Sequence, residues 1–241
     1  MTVTVLVVAA GFLWLMTSLG AAAVFFPLPK SFKKLIPAFS AGVMLSASFW
    51  SLLSPCKELC ESGTLSTVIN LGGGFLMGTV FLLFLTKLIE RLEKNADIVS
   101  LCVTLHNLPE GLAVGVALGA ALNEGTGLSS AFGVCIAIGI QNLPEGTAIA
   151  LPLMAKGTGK FKSFLKASLT GAVEPVCVFI GAATVSVAQS ILPFSLSFSA
   201  GAMVFVVFYE LLPDSYRLTS SSRSVFALSL GFFLMMLLDT I

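Results

Sequence analysis

The sequence predicts an all-α polytopic membrane protein of eight transmembrane helices, and three observations carry the prediction. The 241 residues are 56% hydrophobic and only 10% charged, against roughly 25% charged residues in a soluble domain. Mean hydropathy over the chain is +1.01. The apolar residues also gather into runs of about 20, the length a helix needs to cross the hydrocarbon layer. Runs this continuous exclude the alternating strands of a membrane barrel, which leaves the helix as the structure that satisfies its own backbone in lipid. A net charge of +1 with a single histidine supplies neither a basic surface for nucleic acid nor a histidine-rich metal tract.

Taken in order, the first run lies near 3–26. It lacks a basic leader and is too long for the apolar core of a signal peptide, so it reads as a retained helix. The second, near 35–54, follows Lys30, Lys33 and Lys34, and the third, near 66–87, precedes Lys87, Arg91 and Lys94. The fourth and fifth, near 98–121 and 128–154, hold the polar motifs described below. The sixth, near 164–188, is preceded by Lys156, Lys160, Lys162 and Lys166; the seventh and eighth, near 192–213 and 224–240, flank Arg217 and Arg223. In an alternating count these cations share one side of the membrane, with Lys57 alone opposite. By the positive-inside rule both termini then face outward. Residues 1–241 read as a single transmembrane domain.

Two internal repeats organise the runs. "FSAGVMLSASFWSLLSP" (39–55) and "FSAGAMVFVVFYELLPD" (198–214) agree at eight of seventeen positions, in the second and seventh runs. "HNLPEG" (106–111) and "QNLPEG" (141–146) stand in the fourth and fifth. Helices paired in this way point in opposite directions, which predicts a 3+2+3 inverted repeat about the central pair. Such symmetry accompanies secondary transporters with a midplane substrate site. The competing reading is a shared packing motif, because "SAG" also suits small-residue helix contacts.

The motifs carry the chemistry. His106 and Glu110 are four residues apart, as are Gln141 and Glu145, so each pair occupies one face of its helix about one turn apart. Asn107 and Asn142 add amides beside them, and Glu174 in "GAVEPV" repeats the carboxylate-with-proline pattern on the sixth run. Pro109, Pro144 and Pro175 each remove an N–H, freeing the carbonyls of Leu105, Ile140 and Gly171 and bending the helix. A charge at mid-bilayer costs about 2.5–3.5 kcal/mol even on the lenient insertion scale. Three carboxylates without a nearby lysine or arginine therefore call for a cation. Protonated, mutually bonded carboxyls are the alternative, which explains neither spacing nor duplication. One imidazole, amides and carboxylates without thiolate suit Zn(II), Fe(II), Mn(II) or Co(II). If Glu110 and Glu145 bridge, two ions fit. His106, Glu110, Gln141, Glu145 and Glu174 then form one site, and Asn107 and Asn142 with shared glutamates the other.

With these residues in view, the sequence resembles the ZIP (Zrt/Irt-like) divalent metal transporters. "HNLPEG", "QNLPEG", "VEP" and the paired "FSAG" carry the resemblance, which covers essentially the whole chain. It implies eight helices with both ends outside and import of metal, zinc or iron with manganese, cobalt or cadmium, across the cell membrane into the cytoplasm. It also implies that His106, Glu110, Gln141, Glu145 and Glu174 are transport-site ligands and that Asn107 and Asn142 belong to a second site. The expected partners are divalent ions, the lipid bilayer and a second copy in a homodimer, with no prosthetic group and no catalytic activity. The sequence departs from the family pattern in three places. "RLEKNAD" lacks the histidine cluster of many members' third loop, Gln141 stands where some relatives have histidine, and Tyr209 precedes Glu210 where some have histidine. Glu210 is a secondary candidate near the cytoplasmic exit.

Cys102, Cys135 and Cys177 read as packing residues. Cys56 and Cys60, in "PCKELCES", read as outer-loop residues, with metal capture or a disulfide as further possibilities. Two other functions fit parts of the pattern. A calcium or sodium exchanger shares duplicated Asn and Glu motifs, but His106 argues against it. An intramembrane metalloenzyme would hold a catalytic zinc, but the duplication and the missing HExxH motif argue against that. No Walker-type phosphate loop is present, so ATP is not the immediate driver.

Overall fold

The computed structural model describes residues 2–27, 29–60, 64–92 and 98–239. Glu61, Lys94 and most of the "RLEKNAD" loop lie outside these residues, as does the side chain of Cys102. Eight helical spans are long and apolar enough to cross a membrane: α1 (Val3–Phe25), α2 (Ile36–Leu59), α3 (Thr64–Leu88), α4 (Val103–Glu124), α5 (Leu128–Ala155), α6 (Lys160–Ala183), α7 (Ser190–Leu218) and α8 (Ser221–Leu238). The described residues contain no strand.

Several spans are not plain α-helix. Wider, π-helical turns interrupt α2 at Ser48–Leu53, α3 at Val68–Gly73 and α7 at Val207–Leu211. Those in α2 and α7 fall at matching places of the two "FSAG" repeats. Beyond its wide turn α2 resumes through Pro55, whose missing N–H is harmless in a first turn. The helix therefore continues to Leu59, and Cys56 is a buried helical residue rather than a loop residue. Cys60, just past the end, is half-buried, and both thiols are free. On sequence the apolar run stops earlier because Pro55 and Lys57 interrupt it. Cys135 and Cys177 are buried and free, as packing residues are.

The helices associate in two groups of four. In one, α1 packs on α5 and α4 on α6; in the other, α2 packs on α8 and α3 on α7, and seams between α4 and α7 and between α2 and α5 join the groups. Lipid is as apolar as leucine, so contact here comes from close backbone approach at small residues. A Cβ on Gly42 of α2 would lie 2.0 Å from the Leu228 carbonyl oxygen of α8, and one on Gly201 of α7 would lie 2.0 Å from that of Phe75 in α3. These glycines are the matching members of the two "SAG" motifs. The outer helices α3 and α8 are only 17% and 22% buried, against 67% for α2. Leu76, Val80 and Phe84 of α3 and Phe226, Leu230 and Phe233 of α8 are exposed and form an apolar flank.

Two apolar clusters fill the interior. One includes Met44, Leu52, Val103, Ile149, Met203 and Leu211; the other includes Leu13, Val114, Leu118, Ala131, Cys135 and Val178. Along α4 the order is Val103, then His106 to Glu110, then Val114. Along α5 it is Cys135, then Gln141 to Glu145, then Ile149. A polar layer thus lies between two apolar ones, in the first half of α4 and near the middle of α5.

Candidate metal centre

Helical spacing sets each half of the centre. Four residues make slightly more than one turn, so His106 stacks over Glu110 on α4 and Gln141 over Glu145 on α5. Both helices run through Pro109 and Pro144 without a break. The two edges meet: His106 Nε2 lies 3.4 Å from Glu110 Oε1 and 3.1 Å from Glu145 Oε1. The Gln141 amide donates to Glu110 Oε1 and closes the ring of four. Ligand atoms of His106, Glu110 and Glu145 all lie within 4.8 Å of one another, close enough to share one ion.

Glu174 stands beside this group with a different partner. Asn142 Nδ2 donates to Glu174 Oε2 at 2.7 Å, and Thr17 Oγ1 of α1 donates to Glu174 Oε1 at 3.5 Å. The local backbone explains why the carboxylate is held there. Helix α6 ends one segment at Gly171, turns at Ala172 and restarts at Val173, so Glu174 occupies the first turn of the new segment. That end of a helix carries partial positive charge and unpaired N–H groups, which favour an anion. Pro175 in the same turn needs no donor.

The break also frees carbonyls, and other helices cover them. Ala172 N–H donates to Leu169 O instead of reaching Ser168, and the Trp14 indole N–H donates to Ser168 O at 2.9 Å. Asn107 Nδ2 donates to Thr170 O at 3.1 Å. On α4 the carbonyl of Leu105, released by Pro109, accepts from Ser199 Oγ of the α7 "SAG" motif at 3.2 Å. Trp14, Thr17, Thr170 and Ser199 are contributors that the sequence did not single out, because no spacing rule links them to a motif on another helix.

Every polar residue of the centre is out of contact with the surroundings. His106 and Glu174 are 0% exposed, Glu145 is 3% and Gln141 is 4%. No lysine or arginine lies in α4 or α5. Among the described residues, His106 Nδ1 and the side-chain oxygens of Asn107 and Asn142 have no hydrogen-bond partner. Buried polar atoms are almost always paired, which makes these three notable in so closed a group. One borderline imidazole nitrogen joins hard carboxylate and amide oxygens, a set that suits borderline divalent ions better than Cu(I) or Ca(II).

Glu210 lies apart from the centre. It accepts from Lys156 Nζ at 2.5 Å, and the same ammonium lies 3.1 Å from Asp214 Oδ2. Partial burial alone would lower the Lys156 pKa, but the bonds and charges of Glu210 and Asp214 more than offset it and move it up.

The family model described as ZIP Zinc transporter matches residues 94–239. The zinc transporter GufA of Myxococcus xanthus is 36% identical over 206 residues, covering 79% of this chain and 79% of that protein. The zinc transporter ZIP11 of Homo sapiens is 43% identical over 140 residues, covering 58% of this chain and 41% of its own length. The zinc transporter ZIPB of Bordetella bronchiseptica is 36% identical over 141 residues, covering 58% of this chain and 44% of its own length.

Proposed function

The chain belongs to the ZIP family of zinc transporters, and from that premise we propose that it carries Zn(II) and related divalent ions across a membrane into the cytoplasm. The observation that bears most weight is the buried group of His106, Glu110 and Glu145, which brings two carboxylates together in apolar surroundings without lysine or arginine on their helices. A divalent ion supplies the missing positive charge. Relatives named as transporters rather than enzymes make catalysis an unsupported reading.

Metal enters from outside, exchanges its water for ligands among His106, Glu110, Gln141, Glu145 and Glu174, and leaves toward the cytoplasm. Asn107 and Asn142 with shared glutamates serve as a neighbouring position for a second ion, and Glu210 as a late contact. Several exchangeable ligands favour transit over retention. Iron, manganese, cobalt and cadmium fit the same donors as zinc. The lysine-rich loops set the cytoplasmic side of the cell membrane, with both termini outside. All 241 residues act as one transporter domain.

An inverted repeat is the proposed basis of alternating access. Exchanging α1 with α6, α2 with α7, α3 with α8 and α4 with α5 converts the α2–α8 packing into α7–α3, and α1–α5 into α6–α4. The paired wide turns and paired "SAG" glycines support the same exchange.

The test is uptake by sealed proteoliposomes offered Zn(II), Fe(II), Mn(II), Cd(II) or Ca(II) separately, for the wild type and Glu145→Ala. Uptake of a transition metal that the substitution abolishes is the expected result. Stoichiometric binding without uptake of any ion would overturn the transport reading.

A further inference from the structure

The cation on the loop between α5 and α6 reaches across the seam between the two helix groups. Lys156 follows the last residue of α5, which belongs with α1, α4 and α6. Glu210 and Asp214 belong to α7, which packs with α2, α3 and α8. Helices α5 and α7 are not packing partners along their length. The ammonium nevertheless bridges the two carboxylates at 2.5 and 3.1 Å, with side chains 45%, 21% and 26% exposed in the order Lys156, Glu210 and Asp214.

The backbone holds this lysine in place. Gly157 adopts φ +94°, Gly157 N–H donates to Met154 O at 3.1 Å, and Thr158 N–H donates to Leu153 O at 3.1 Å. That is a Schellman ending, and it fixes Lys156 at the negative end of α5, where a cation is favoured. On the other side Glu210 sits in the wide turn Val207–Leu211, and Asp214 lies in the first turn of the segment that follows, Leu212–Leu218. A pinned cation thus meets two carboxylates placed by a helix irregularity. The bonds and charges of Glu210 and Asp214 raise the Lys156 pKa, so the ammonium stays charged at neutral pH.

We propose that Lys156, with Glu210 and Asp214, is a gating group of the transport reaction: an ion-pair latch that fastens the two helix groups on the lysine-rich face and opens once in each cycle. The inference rests on the transport reading above. Half-exposed ion pairs contribute little to overall stability, which suits a contact that must break repeatedly. Both partners lie at the same end of their helices, beyond the polar layer. The latch therefore closes one side of the path without engaging His106, Glu110, Gln141 or Glu145.

The experiment replaces Lys156 and Asp214 with cysteine together, reconstitutes the protein, and treats it with a short bifunctional thiol reagent cleavable by reductant. The wild type, Lys156→Cys and Asp214→Cys receive the same treatment, which accounts for the native cysteines. Crosslinking of the double variant should reduce zinc uptake at least tenfold, and reductant should restore it; the controls should be unaffected by reagent. A second arm compares Lys156→Met with Lys156→Met combined with Asp214→Asn. Both should change the uptake rate equally, because Asp214 has no further role once the ammonium is gone; a further change in the double variant would overturn the latch. Failure of the pair to crosslink, or a crosslinked protein that carries zinc at the uncrosslinked rate, would overturn the latch alone. Absence of uptake by the untreated wild type would instead overturn the transport reading, and the gating role with it.

Discussion

His106 Nε2 stands 3.1 Å from Glu145 Oε1 across the α4–α5 contact, although 39 residues separate the two in the chain. One ring nitrogen thereby joins the two "NLPEG" motifs into a single polar group, and loss of the ring leaves only carboxylates and amides there. Changing a residue that merely supports a metal ligand costs about 10–100-fold, so His106→Ala should lower transition-metal uptake by more than about 100-fold. Proteoliposome uptake of Zn(II), with circular dichroism to confirm folding, checks this. Uptake at the wild-type rate would remove the imidazole from the site.

Gln141 donates to Glu110 from the facing helix, and its amide is a hard, weak donor toward a metal. Gln141→His places a second imidazole at the same height on α5. Borderline ions such as Zn(II) gain more from imidazole than Mn(II) does. The expected outcome is a rise in the zinc-to-manganese uptake ratio, read from competition between the two ions. An unchanged ratio would show that residue 141 stays outside the coordination sphere.

Ser199 Oγ donates at 3.2 Å to Leu105 O, the carbonyl that Pro109 releases. Removing that donor leaves an acceptor without its partner in lipid-excluded surroundings. Ser199→Ala should therefore destabilise the fold by about 1 kcal/mol, the usual scale of such a bond. Thermal unfolding in detergent measures it, with Ser195→Ala as a comparison, since Ser195 Oγ bonds only within its own helix. Equal melting temperatures for Ser199→Ala and the wild type would mean that the released carbonyl has another donor.

The parts of this architecture that are legible in the sequence are those fixed by local repetition. Apolar runs located the eight spans because hydropathy is summed within one helix, and the four-residue spacings put His106 over Glu110 and Gln141 over Glu145 by helix geometry alone. What escaped depends on distant helices or on small departures from the ideal helix. The sequence groups Glu174 with His106 but gives no sign of its bonds to Asn142 and Thr17, which the turn at Ala172 makes possible. Glu210 gave no sign of pairing with Lys156, 54 residues away. The wide turn in α2 is invisible in the sequence because a π turn has no composition of its own.

Packing and function meet at Gly111. A Cβ there would lie 2.7 Å from Glu174 O and 2.9 Å from Glu174 Cα, so any side chain pushes on the backbone of α6 at the residue whose carboxylate Asn142 holds. Gly11 on α1 offers the opposite case, since a Cβ there meets nothing within 4 Å. Alanine in a helix interior is favoured over glycine by about 0.5–1 kcal/mol. Gly11→Ala should therefore leave uptake unchanged and stability equal or slightly higher. Gly111→Ala gains the same propensity but must separate α4 from α6 at a backbone contact that cannot yield, and the shift displaces Glu174 from Asn142. It should lose most of its metal uptake and melt below the wild type. Paired measurements of melting temperature and zinc uptake on both variants decide the matter. If Gly111→Ala matches Gly11→Ala in both, the close α4–α6 approach has no part in holding the centre together.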